Sequence, residues 1–114
     1  MDVDSETQKQ IQELQILEQG LQSSLMQKQN LEIELSEIEN ALNEITKSNE
    51  EVYKLIGQIM IKYNKKDIEK ELKEKKDLVS IKLKKIEANS NKLSDQCESL
   101  RNQVLNKIQE HSKK

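Results

Sequence analysis

From Leu14 onward, apolar side chains recur along this chain at alternating intervals of three and four residues. Leu14, Leu17, Leu21, Ser24, Lys28, Leu31, Leu35, Ile38, Leu42 and Ile45 keep that spacing, and eight of these ten positions are apolar. Such a 3,4 repeat is the seam of a coiled-coil helix. Ser5 can cap its start, with Gln8 three residues on returning the bond as in a capping box, so a first helix is predicted over 5–48. Ser24 and Lys28 interrupt the seam beside Gly20, Leu25 and Met26, which reads as a tolerated local mismatch rather than a bend. Residues 46–51 (TKSNEE) end the pattern: their short polar side chains compete for backbone hydrogen bonds, and Asn49 tolerates the left-handed turn that closes helices.

A second seam follows. Leu72, Lys76, Val79, Leu83, Ile86, Ser90, Leu93, Cys97, Leu100 and Val104 keep a 4,3 spacing, with eight of ten apolar when Cys97 counts as a small hydrophobe. The second helix is predicted over 64–112, starting at Asn64 with Asp67 near its positive end. Each helix would hold about 40 residues and run roughly 60 Å.

Between the helices, residues 52–63 (VYKLIGQIMIKY) are rich in β-branched residues, hold both tyrosines and are divided by Gly57, as a β-hairpin requires. Tyr53, Leu55, Ile59, Ile61 and Tyr63 are uncharged odd positions, whereas Lys54, Gln58 and Lys62 are even, so the odd set is expected to face inward. A two-residue Gly57–Gln58 loop would pair Leu55 with Met60 and set odd residues opposite even ones. An odd-length loop or a bulge is therefore the expected turn.

A short connector favours an antiparallel helix pair, and charge supports it. Up to Glu51 there are 3 Lys against 12 Asp plus Glu, while residues 62–85 hold 10 Lys against 5 acids. Antiparallel pairing sets the acidic stretch 32–44 beside the basic stretch 65–85, which penalises other registers. The expected fold is thus mainly α: a long antiparallel coiled-coil hairpin of two helices joined by a β-hairpin. A lone two-stranded hairpin is marginal in water and exposes its edges, so it is expected to pair with hairpins of other subunits.

Composition agrees. With 114 residues, no Pro, Phe or Trp, and 35% charged residues, the chain cannot bury a conventional globular core. No apolar run reaches the roughly 20 residues of a membrane span, and the polar, acidic start is unlike a signal or transit peptide. One cysteine makes no internal disulfide. A cytoplasmic location, with no membrane partner, is expected.

The order ALNEI, EEVYKLIGQIMIK, KKDIEKELKEKKDLVSIKLKKIE resembles β-class prefoldin subunits, the archaeal ones most, over nearly the whole chain. VYKLIG followed by IMIK is the most distinctive part, similar to that family's hairpin. The resemblance implies one prefoldin-like domain over 1–114 and an α2β4-type hexamer of α-class subunits and further β-class copies. It also implies an ATP-independent holdase that binds non-native polypeptides at its coiled-coil tips and delivers them to a group II chaperonin. Val52, Tyr53, Leu55, Ile56, Gly57, Ile59, Ile61 and Lys62 would form the assembly hairpin.

The client surface follows from physics rather than from a motif. Ile11 and Ile16 lie off the first seam, as do Leu105 and Ile108 off the second, and these can line an apolar strip. Fraying of the helix ends would add Leu14, Leu17, Leu100 and Val104, giving a surface that binds weakly per tip and strongly through several. The competing reading is that these residues merely extend the seam.

Other chemistry finds no support. Cys97 reads as a buried hydrophobe, His111 as solvated in a Lys-flanked terminus, and the carboxylates as helix surface beside lysines. No phosphate loop, nucleophile motif or metal spacing occurs, so neither enzyme activity nor a cofactor or metal is expected. Interleaved acids in the basic run argue against a nucleic-acid partner. The alternative function is a structural coiled-coil adaptor or tether with a β oligomerisation element.

Overall fold

The computed structural model describes residues 4–48 and 50–112, without the side chains of His111 and Ser112. The expectations placed on Asn49, on the His111 side chain and on the outermost termini lie outside these residues. Helix α1 spans Ser5–Lys47, strands β1 and β2 span Val52–Ile56 and Ile59–Tyr63, and helix α2 spans Lys65–Ser112. The fold is mainly α, two long helices joined by a two-stranded antiparallel hairpin.

Asp4, not Ser5, caps α1. Its Oδ1 accepts from the Thr7 backbone N–H at 2.7 Å, and its carbonyl accepts from Gln8 N–H at 3.0 Å. A carboxylate at the positive helix end is a stronger acceptor than a hydroxyl, so the cap moves back one residue. Asn64 caps α2 as its sequence suggests, its Oδ1 accepting from Lys66 N–H at 2.9 Å. At the end of α1, Thr46 bonds back to the Leu42 carbonyl, and the Lys65 ammonium donates to the Ser48 carbonyl at 2.8 Å. A cation there satisfies a carbonyl of the helix end and meets its negative pole.

All ten seam positions of each helix are buried or half-buried, while most positions between them are exposed. Ile38, Val79, Cys97 and Val104 are the deepest apolar seam residues, and Ile68, one turn before the second seam begins, joins them. Cys97 is a free, buried thiol.

The chain divides into two compact units, one of residues 1–28 with 85–114 and one of residues 29–84. In the first, α1 and α2 run antiparallel, with Glu6 near Lys107, Glu18 near Arg101 and Ser24 against Ser90. The polar interruption at Ser24 leaves α1 continuous, because the two serine hydroxyls bond to each other. The second unit carries the hairpin on the other halves of the helices.

The turn departs from expectation. The register pairs Val52 with Tyr63, Tyr53 with Lys62, Lys54 with Ile61, Leu55 with Met60 and Ile56 with Ile59. The loop is therefore the two-residue Gly57–Gln58 turn, with no bulge. Gly57 has φ of 62°, and no non-glycine residue among those described has positive φ, as a type II′ turn requires. The uncharged odd set is accordingly split. Tyr53 and Leu55 share one face with Met60 and Lys62, whereas Ile59, Ile61 and Tyr63 share the other with Val52, Lys54 and Ile56. Turn geometry decided the register because neither face is buried within the chain.

Candidate assembly hairpin and client surface

Two carboxylates hold the hairpin, one on each face. On the face with Val52 and Tyr63, Glu71 of α2 accepts from the Lys54 ammonium at 3.0 Å and from the Tyr63 hydroxyl at 3.0 Å. Lys54 also lies 5.2 Å from the centre of the Tyr63 ring, close enough for a cation–π contact. On the opposite face, Glu51 accepts from the Tyr53 hydroxyl at 2.9 Å and pairs with Lys62 at 2.9 Å. The Lys54 bond and then the Tyr63 bond lower the Glu71 pKa, and the Lys62 bond and then the Tyr53 bond lower that of Glu51. Donation to a carboxylate raises both phenols in turn.

Glu71 was not legible as part of this site. Its role depends on how the hairpin meets the first turns of α2, which neither period nor composition encodes.

Apart from these clasps, the hairpin is bare. Leu55 is 66% and Met60 67% exposed on one face, and Ile59 is 65% exposed on the other. Ile56, Ile61 and Tyr53 are exposed as well. Of the eight residues expected to mediate assembly, Val52 alone is half-buried. Met60, absent from that set, is as exposed as any of them, and its position opposite Leu55 would have flagged it had the register been known. The described residues form no third strand.

The terminal unit presents the client candidates unevenly. Ile16 is 67% and Leu105 49% exposed. Ile11 and Ile108 are half-buried rather than open, Leu14, Leu17 and Leu100 are half-buried on the seam, and Val104 is buried. Two of the eight candidates are thus exposed, five are half-buried and one is buried. Beyond Leu14, the first seam continues as Gln10 and Thr7, whose Oε1 and Oγ1 are buried without a hydrogen-bond partner among the described residues.

Among the described residues no cluster of His, Cys, Asp or Glu could hold a metal, and no helix is long and apolar enough to cross a membrane.

Two seam-paired helices bearing a bare, incomplete sheet define a coiled-coil subunit whose strands end in open edges. The family model described as prefoldin subunit matches residues 8–111, and the chain belongs to that family. It is 39% identical over 85 residues to the prefoldin subunit beta of Archaeoglobus fulgidus, covering 73% of each chain. It is 32% identical over 101 residues to that of Methanothrix thermoacetophila, covering 87% of this chain and 84% of the relative. The crystal structure of the prefoldin beta subunit from Thermococcus strain KS-1 superposes with a TM-score of 0.82 at 30% identity, covering 90% of this chain and 92% of that one. Prefoldin subunits are chaperone components rather than enzymes, and membership implies oligomerisation with other prefoldin subunits.

Proposed function

We propose that this chain is a β-class subunit of an ATP-independent holdase. The exposed hairpin carries the reading: five apolar side chains on two sheet faces and two unpaired edges are a surface that strands of other subunits would complete. In this account residues 1–114 work as one prefoldin-like domain. Val52, Tyr53, Leu55, Ile56, Gly57, Ile59, Ile61 and Lys62 join α-class subunits and further copies in an α2β4-type hexamer. Ile16 and Leu105 make the first contact with a non-native polypeptide. Parting of the helix ends then adds Ile11, Leu14, Leu17, Leu100, Val104 and Ile108.

Several tips acting together would hold the client by avidity, at no cost in nucleotide, before transfer to a group II chaperonin. The work is done in the cytoplasm and involves no catalysis, cofactor, nucleic acid or membrane.

Light scattering of a chemically unfolded client tests the proposal. With an α-class partner present and ATP absent, suppression of aggregation is expected. An assembled complex that leaves scattering unchanged would instead mark a structural adaptor.

A further inference from the structure

In the hairpin-bearing unit, two ion pairs mark the two flanks of the seam. Lys75 reaches Glu34 at 3.9 Å, and the adjacent Lys76 reaches Glu39 at 3.8 Å. Steps of three, four and seven residues then assign the neighbouring charges to a flank. Lys73 lies one turn from Lys76, and Lys70 and Lys66 continue that line. Glu37 lies one turn from Glu34, with Glu44 two turns beyond it. Asp77, four residues past Lys73, is the one acid of the basic line. Beside the hairpin, the charges outside those two ion pairs therefore leave one flank net basic and the other net acidic.

Lys66, Lys70, Lys73, Glu37 and Glu44 are exposed, and none forms an ion pair among the described residues. Lys66, Lys70 and Lys73 repel one another at i,i+3 and i,i+4 along the helix, a repulsion that the interleaved Asp67, Glu69, Glu74 and Asp77 offset in part. Height matters too. The contacts of Ser48 with Lys65 and of Glu39 with Lys76 set an antiparallel register that puts Glu44 level with Lys70. A rotation about an axis parallel to the helices keeps those heights. It brings the basic flank of one copy onto the acidic flank of the next, a head-to-tail contact of the kind that closes rings.

We propose that Lys66, Lys70 and Lys73 of one copy dock against Glu37 and Glu44 of a second copy of this chain, beside the hairpins. This electrostatic contact orients neighbouring subunits. The inference rests on the assembly reading above and adds to the hairpin a second contact, one that salt weakens.

The test uses the full chain with an α-class partner, followed by native mass spectrometry and by sedimentation at low and high salt. K70E/K73E and E37K/E44K should each weaken assembly about tenfold at low salt. The chain carrying all four reversals should recover, because complementarity is restored. Circular dichroism checks that the helices persist, and K70Q/K73Q gives a milder test that should flatten the salt dependence. Reversals without effect on a wild type that assembles would overturn the proposal and leave the hairpin reading standing. A wild type that stays monomeric removes the assembly reading itself, and this one with it. Loss of RNA or DNA binding by K70E/K73E with assembly intact would also overturn it, marking the basic line as a nucleic-acid surface.

Discussion

The Ser24 hydroxyl lies 2.6 Å from the hydroxyl of Ser90, and both side chains are buried on the seam of the terminal unit. Each satisfies the other, so a layer that breaks the apolar repeat costs little. Asn89 adds a longer contact to the Ser24 Oγ at 3.5 Å. Removing one partner strands the other. Ser24→Ala should destabilise the helix pair by about 1–2 kcal/mol, and Ser90→Ala by less because Asn89 remains. The double alanine variant should return close to wild type. Urea unfolding followed by circular dichroism measures all three, and additive losses would show that the hydroxyls do not act as a pair.

The two tyrosines are the chain's only aromatic residues, so tyrosinate absorbance reports on the hairpin alone. Both phenols donate to carboxylates that favour the protonated form, and both should titrate above the ordinary value of about 10. The sign follows: a raised pKa contributes stability fully present below the unfolded value and lost as pH rises through the folded one. Glu51 and Glu71 behave oppositely, with lowered values whose contribution is present above the unfolded pKa and lost as pH falls through the folded one. The clasps are complete between those limits. Glu51→Gln should return Tyr53, and Glu71→Gln should return Tyr63, towards an ordinary titration.

Gly57 sits at φ of 62° with open space around it, so the conformation rather than crowding selects glycine. A Cβ there costs about 1–2 kcal/mol. Gly57→Ala should therefore loosen the turn and weaken assembly, whereas Gln58→Ala, at a residue without positive φ, should leave both unchanged. Native mass of each variant with an α-class partner separates them, and equal behaviour would show that the turn is not limiting.

The helices were legible because their period is a property of the chain itself, and every one of the twenty seam positions loses exposure. The hairpin was legible in place but not in register. Parity of charged and uncharged residues signals a buried face, and here each strand is largely open on both sides, so that signal had nothing to report. Glycine chemistry at the turn outweighed it. The half-burial of Ile11 and Ile108 was missed for a related reason: a residue beside the seam is shielded by the partner helix even when it is not a seam position.

That uneven exposure separates client holding from arm stability. Ile16 and Leu105 are 67% and 49% exposed in the free chain, so Ile16→Ser with Leu105→Ser should shift thermal unfolding less than loss of a seam residue does. Val104 is 5% exposed on the seam, and Val104→Ala removes packed methyl groups, at a cost of about 1–2 kcal/mol. If the bare surface makes the first client contact, the serine pair should lose suppression of client aggregation in the assembled complex while its melting curve shifts less than that of Val104→Ala. Val104→Ala should do the reverse at temperatures well below its transition, since looser helix ends expose more apolar surface to the client. Aggregation assays beside thermal melts of the same complexes give both readouts. A serine pair that still holds client fully would move the binding surface away from Ile16 and Leu105.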